Sequence, residues 1–207
     1  MPKGAPRCWR RSRTTSARRC HASPSGSSNC PTTPARAAAD IDEMRAMIGA
    51  AIGFARDDMS VRTDARVDLG SLLDSLVEDM AVAGGHVTIV PGPRAVVRGD
   101  PAALRRLFAN LIENAIRYGD GAALGWSMAD GIVRVTIDDS GPGIDPAQAE
   151  RLFEPFVRGD PSRNRDTGGT GLGLAIVRSI ARRHGGDAIL TNRPEGGARA
   201  TITLPVD

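Results

Sequence analysis

The sequence predicts an α/β protein, a two-layer sandwich of a mixed sheet and helices, preceded by an N-terminal helix and a disordered tail. Three observations predict it. Amphipathic helical stretches alternate with short β-rich runs, but without the regular rhythm that builds a doubly wound parallel sheet. Two pairs of β-rich runs are joined closely enough to read as antiparallel hairpins. A glycine-rich stretch, Asp166 to Val177 (D-T-G-G-T-G-L-G-L-A-I-V), runs straight into an apolar helix in which Leu172, Ile176, Val177 and Ile180 fall near helical spacing.

Residues 1–34 are rich in Arg, Ser, Pro and Cys and show no apolar period, so a disordered basic tail is expected; a transit peptide is the lesser alternative. Lys3, Arg7, Arg10, Arg11, Arg13, Arg18, Arg19 and Arg36 give the first 36 residues a charge of +8 against +3 for the whole chain. The rest is therefore acidic, and the high isoelectric point argues for no nucleic-acid partner. Cys8, Cys20 and Cys30 all lie in the tail at no ligand-like spacing, which disfavours a disulfide framework and a zinc site.

From residue 35 to about 60 the chain turns helical, with Ile41, Met44, Ile48, Ala51, Ile52 and Ala55 forming one apolar stripe that needs a partner. Residues 61–207 read as the second, larger domain. Val67 to Leu69 is expected as a short strand, and Gly70 to Ala83 as a helix with Leu72, Leu73, Leu76, Val77 and Met80 inward, ended by Gly84-Gly85. His86 to Val90 and Ala95 to Arg98 are β-rich and split by the Pro91-Gly92-Pro93 turn. Asp100-Pro101 is an N-cap and first-turn pair for a helix reaching about Tyr118. Ala122 to Met128 and Ile132 to Asp138 form a hairpin around Ala129-Asp130-Gly131. The polar segment Ser140 to Gly169 is expected to hold only one short helix, about Pro146 to Phe153, and loops of such length are usually functional. A helix to His184 and a closing hairpin, Asp187 to Thr191 with Ala198 to Leu204, complete the chain.

Four clusters carry chemistry. In the glycine stretch, Gly168, Gly169, Gly171 and Gly173 remove Cβ atoms where the backbone approaches something closely. The helix start behind them offers N–H groups and a positive dipole end, which suits a phosphate. A flexible linker is the alternative. Asn110 and Asn114, in N-L-I-E-N-A-I-R-Y-G, are one helical turn apart and share a face that Arg117 and Tyr118 extend. Their amide oxygens suit Mg²⁺, although on an isolated helix they would read as surface amides. In D-D-S-G-P-G-I, from Asp138 to Ile144, a carboxylate just after a strand is placed to accept from an exocyclic amine such as adenine N6. Gly141 and Gly143 let a flat ring lie on the backbone. In R-L-F-E-P-F-V-R-G-D, Arg151 to Asp160, Phe153 and Phe156 are suited to pinning a loop while Arg158 faces phosphate; simple loop anchoring is equally compatible.

In this order the clusters resemble the N, G1, F and G2 boxes of sensor histidine kinases of the osmosensor type, over about residues 35–207. The resemblance implies the α/β sandwich shared with DNA gyrase, Hsp90 and MutL, with ATP and Mg²⁺ bound beneath a mobile lid. It implies that Asn114 holds Mg²⁺ with Asn110 nearby, that Arg117 meets phosphate, that Tyr118 lies against adenine and that Asp139 takes the adenine amine. Gly141, Gly143, Phe156, Arg158, Gly169, Thr170, Gly171, Leu172, Gly173 and Leu174 complete the implied ATP site. It further implies a response regulator as partner and a homodimer built on a helical hairpin. Residues 35–60 are similar to that hairpin's second helix.

One part of the family pattern is missing. The phosphoacceptor motif, of the form S-H-D-L-R-T-P, does not occur, so no catalytic residue is assigned. His21 stands in R-C-H-A-S-P without an adjacent acid, and His86 and His184 read as structural or surface residues. Reverse translation of Cys8 to Ala22, read from the third base of each codon, makes available L-A-A-V-S-H-D-L-R-T-P-L-S-R, which resembles the family's first hairpin helix. The tail is therefore expected to be an out-of-frame reading of that helix. The resemblance then implies a histidine kinase part that binds ATP, dimerises weakly and does not autophosphorylate in cis. A non-catalytic nucleotide-binding interaction module and a protein-serine kinase or ATPase of the same superfamily remain open. The chain as written is expected in the cytoplasm; its relatives reach the inner membrane through upstream segments. No apolar run of about 18 residues is present here.

Overall fold

The computed structural model describes residues 64–159 and 170–207. The expected basic tail, the helix over residues 35–60, His21, Gly168 and Gly169 lie outside the described residues. In chain order the elements are β1 (Ala65–Asp68), α1 (Leu69–Val82), β2 (Val87–Val90), β3 (Val96–Gly99), α2 (Pro101–Gly119), β4 (Ala122–Ala129), β5 (Ile132–Asp138), α3 (Gly173–Arg183), β6 (Asp187–Asn192) and β7 (Ala198–Pro205).

The expected sandwich is present. A five-stranded sheet runs β2-β4-β5-β7-β6, and a separate two-stranded sheet pairs β1 with β3. Only β2 and β4 are parallel in the larger sheet; the other neighbours are antiparallel, so the sheet is mixed. The runs on either side of Pro91-Gly92-Pro93 thus belong to different sheets. Trp126 fixes the bend, its Nε1 donating to the Pro93 carbonyl at 2.8 Å.

Local chemistry explains most boundaries. Asp100 caps α2 by accepting from Ala102 N–H at 2.9 Å and Ala103 N–H at 3.4 Å, with Pro101 behind it. The β4–β5 turn needs positive φ at both central residues, and Asp130 (53°) and Gly131 (74°) supply it. The first strand ends one residue earlier than expected, because Asp68 caps α1 through Ser71 N–H and commits Leu69 to the helix. Leu69, absent from the expected core, is fully buried, while Leu72, Val77 and Met80 are only partly so.

The core lies between the helices and one face of the sheet. Leu104, Leu107, Phe108, Leu111 and Ile112 of α2 and Ile176, Val177 and Ile180 of α3 meet Val133, Val135 and Ile137 of β5 and Ile202 and Leu204 of β7. Strand alternation turns Arg134, Thr136 and Asp138 to the opposite face. No described helix is long and apolar enough to cross a membrane.

Candidate functional site

The first two helices begin on a carboxylate cap, and the third does not. α3 opens at Gly173 behind Leu172, and among the described residues no side chain caps it, so its first-turn N–H groups are not given there the acceptor that Asp68 and Asp100 supply to α1 and α2. Asn110 and Asn114 of α2 face this opening. A methyl group at Gly173 would lie 3.7 Å from Asn110 Oδ1 and 3.7 Å from Asn114 Nδ2, so glycine keeps a small polar cradle clear. Asn110 Nδ2 is buried with no hydrogen-bond partner among the described residues, a costly state that an incoming acceptor would relieve. The chemistry of this corner is two amides and a bare helix terminus, all suited to an anion and a hard cation.

The far end of the α2–α3 pair is closed by His184. Its Nε2 accepts from Asp100 N–H at 3.1 Å while its Nδ1 meets the Ile180 carbonyl at 2.8 Å, which requires the proton on Nδ1. Nε2 thereby ties the end of α3 to the cap of α2 while Nδ1 is bound within α3, in keeping with the structural role expected for this residue. His86 stands just before β2 instead of opening it, and its carbonyl accepts from Ala122 N–H at 2.9 Å.

A second polar group sits where β5 ends. Asp138 and Asp139 are adjacent, yet they do opposite things. Asp138 is taken by Arg199 through two bonds of 2.7 and 2.6 Å and by Arg193 at 3.4 Å. Asp139 instead accepts from the backbone N–H groups of Gly141 at 2.8 Å and Ala198 at 3.0 Å, both through Oδ1; Oδ2 takes no part in these bonds. Gly119, at the end of α2, packs on Asp139, and a methyl there would sit 2.9 Å from the Gly141 and Ser140 nitrogens. The helix that carries Asn110 and Asn114 thus ends against Asp139. Tyr118 and Arg117, on the last turn, are exposed.

The segment after Asp139 departs from expectation. Residues 146–150 form turns, and only Arg151–Phe153 makes a short 3₁₀ helix. Its anchor is Arg178 of α3, which stacks over the Phe153 ring at 4.5 Å from its centroid and donates to Glu150 through both terminal nitrogens and to Asp187 through Nε. Burial pushes the Asp187 carboxyl up, but Arg182, the Ala188 N–H and Arg178 outweigh it and hold the group at about 2. Phe153 is buried as an anchor should be, whereas Phe156 is 60% exposed and does not pin the loop. Its backbone does so instead: Phe156, at φ 65°, donates its N–H to the Gly171 carbonyl at 3.0 Å. Gly171, at φ 70°, leaves no room for a side chain against the Phe156 backbone. Arg158 and Thr170 are partly buried at the two ends of this bridge.

Residues 99–207 match the family model described as histidine kinase-, DNA gyrase B- and HSP90-like ATPase. The chain belongs to that ATPase family. Among curated relatives, it is 38% identical over 168 residues to the sensor histidine kinase GtrS of Pseudomonas aeruginosa, covering 80% of this chain and 34% of that protein. The chain therefore spans about a third of the length of that relative. Among solved structures, the ATP binding domain of PrrB from Mycobacterium tuberculosis superposes with a TM-score of 0.59 at 34% identity, over 70% of this chain and 98% of that one. Full-length ShkA in complex with AMPPNP gives a TM-score of 0.67 at 28% identity, over 83% of this chain and 37% of that one.

Along α2 the expected residues fall into two groups: Asn110 and Asn114 lie by Gly173 of α3, and Asp139 lies by Gly119 at the helix's C-terminal end. Three partners escaped the sequence reading, namely Arg178, Asn192 and Arg193. Asn192 pairs with Ile144 in both directions, accepting from its N–H and donating to its carbonyl, each at 2.8 Å. The signal available for Arg178 was its spacing of five from Gly173, which places it two residues before the buried Ile180 on α3. Nothing in R-P-E-G-G marks Arg193 as more than a turn residue.

Proposed function

We propose that this chain binds ATP·Mg²⁺ between Asp139 and the start of α3, as the catalytic part of a protein-histidine kinase in a two-component system. The observation that carries the reading is the uncapped α3 terminus facing Asn110 and Asn114, on the same helix that ends against Asp139. An anionic group at one end and an amine at the other would satisfy both. Asp139 accepts the adenine N6 amine, Gly141 and Gly143 pass the ring, and Tyr118 lies beside it. The N–H groups opening α3, with Thr170, Leu172, Gly173 and Leu174 around them, receive the phosphates, and Arg117 and Arg158 add positive charge. The Asn114 amide oxygen, with Asn110 beside it, fits Mg²⁺, which neutralises phosphate charge when bound. ShkA, similar in fold, was solved with an ATP analogue, which supports the choice of nucleotide.

Phosphoryl transfer of this kind is mostly positioning and charge neutralisation, so the binding residues do most of what the domain contributes. The γ-phosphorus passes from the ADP oxygen to a histidine nitrogen, and then to an aspartate of a response regulator. This chain lacks the S-H-D-L-R-T-P acceptor motif, and His184 spends both ring nitrogens inside the fold. We therefore assign it ATP binding without autophosphorylation in cis. We further assign residues 61–207 as the catalytic domain, residues 35–60 as the remaining hairpin helix of a weakened dimer, and residues 1–34 as the product of a shifted frame. A pure nucleotide-binding module is the second reading, favoured by the same missing motif.

The test is incubation of the purified chain with γ-labelled ATP and Mg²⁺, with Asp139→Asn as control. Bound ATP without covalent label is expected, with binding weakened in the variant. Acid-labile, base-stable label would overturn the loss of the acceptor, and unchanged binding in the variant would overturn the site. Sequencing the coding DNA over Cys8 to Ala22 tests the frame: H-D-L-R-T-P is expected one frame away.

A further inference from the structure

Two consecutive residues at the end of β6 hold both ends of the loop that begins with Asp139. Arg193 Nη1 donates to the Asp139 carbonyl at 2.9 Å, and its Nε lies 3.4 Å from Asp138 Oδ2. Asn192 grips Ile144, at the loop's other end, through the two 2.8 Å bonds described above. Gly143, at φ 77°, brings the loop so near that a methyl there would sit 2.7 Å from Asn192 Oδ1. The turn following β6 closes on the same carbonyl, since Arg193 N–H donates to Gly197 O at 3.0 Å and Gly197, at φ 85°, would drive any side chain into Asp139 O. Of the adjacent carboxylates, Asp138 is thereby drawn to the arginines, and Asp139 is left with one oxygen outside its backbone bonds.

We infer that Asn192 and Arg193 are positioning residues that set base selectivity, by fixing the carboxylate of Asp139 where an exocyclic amine is accepted. The inference rests on the adenine reading of Asp139 proposed above. Its chemistry is a sharp one. A carboxylate only accepts, so it favours the adenine amino group and repels the carbonyl oxygen that guanine presents at the same place. That discrimination needs a fixed carboxylate: a loop free to shift by a fraction of a bond length admits a water between Asp139 and the base and blurs the difference. Neither Asn192 nor Arg193 needs to touch the nucleotide for this. They act through the loop, and the phosphate end of the pocket is left unaltered.

The experiment measures affinity of the full chain for Mg·ATP and Mg·GTP by calorimetry, in wild type, Arg193→Met, Asn192→Ala, Arg193→Lys and Asp139→Asn, with melting temperature alongside. Loss of one fixing bond is expected to cut the ATP-over-GTP preference by about tenfold in Arg193→Met and Asn192→Ala. Arg193→Lys, which keeps a donor for the Asp139 carbonyl, retains most of the preference, and Asp139→Asn abolishes it. A purely structural role would lower the melting temperature and leave the ratio alone. If Asp139→Asn collapses the preference while Arg193→Met and Asn192→Ala both keep it, the inference is wrong and the adenine reading stands. If Asp139→Asn keeps it as well, the adenine reading falls and takes the inference with it. Should Arg193→Met fail to fold, Asn192→Ala decides by the same criterion.

Discussion

The two ends of the proposed site are built on opposite principles. At the Asp139 end the loop is tied down at both of its ends: Gly141 and Ala198 donate to the carboxylate, Arg193 to the carbonyl, and Asn192 to Ile144. At the α3 end, groups are left open: the helix has no side-chain cap and Asn110 Nδ2 has no partner among the described residues. The difference teaches which part of a ligand each end suits. A flat base recognised by one or two hydrogen bonds needs a rigid frame. A polyphosphate carries its own charge and brings a cation, so it needs donors in waiting more than rigidity. Substitutions that crowd the backbone of the closed end should therefore register as lost stability, whereas changes at the open end, or at the Asp139 carboxylate itself, should register as lost affinity.

The sharpest test of the closed end is Gly197→Ala. Its positive φ and the collision of any Cβ with Asp139 O combine strain with steric overlap. A loss of about 3 kcal/mol is expected. Urea unfolding with an unchanged m-value would check it. A loss below about 0.5 kcal/mol, within the range of ordinary surface substitutions, would mean that the turn gives way easily and the closed end is not rigid. Asp139→Asn is expected to weaken ATP binding by about 2 kcal/mol, the range for a hydrogen bond to a charged group, with little change in melting temperature because Asn retains an acceptor for Gly141 and Ala198.

Gly173→Ala inverts the pattern at the open end. Alanine is favoured over glycine in a helix by roughly 0.5–1 kcal/mol, so the variant should melt higher. Its methyl group, 3.7 Å from both amides, occupies the cradle, and Mg·ATP affinity should fall by about tenfold. Calorimetry and thermal melting on one sample separate the two effects. A variant that binds as tightly as wild type would show that the cradle is not where the phosphates lie.

The same contrast explains what was legible in the sequence. Asp100-Pro101, Ala129-Asp130-Gly131 and the apolar periods of α2 and α3 are local, and each fixes its own geometry, so the elements could be read directly. The open end was legible for that reason: Asn110 and Asn114 share a helix face and Gly173 begins the next helix, as spacing alone implies. The closed end was not. Which of Asp138 and Asp139 is taken by arginine depends on β5 pairing with β7, where Asp138 stands opposite Arg199, some 60 residues away in sequence. The roles of Asn192 and Arg193 likewise exist only once β6 lies beside the loop. The separation of β1 and β3 into their own sheet has the same cause, as does Phe156's left-handed backbone, which only its bond to Gly171 justifies. By residue type Phe156 is as good an anchor as Phe153, but only Phe153, under Arg178, is buried.

The smallest effect expected lies away from both ends, where Asp187 joins β6 to α3 through Arg178 and Arg182. Its carboxyl is held at about 2 against an ordinary value of 3.8. A carboxylate depressed in the folded state contributes stability that is fully present above its unfolded value and fades as pH falls through the folded one. The window here is thus from about pH 4 down to pH 2. Asp187 is 42% exposed, and solvent screening reduces the contribution to about 1 kcal/mol. Asp187→Asn should cost that amount at pH 7 and nearly nothing at pH 2, so the two unfolding free energies converge on acidification. Glu150 is lowered by Arg178 too, but it is exposed and its loss should be felt less. If Asp187→Asn costs the same at both pH values, the ion pairs are not what joins β6 to α3.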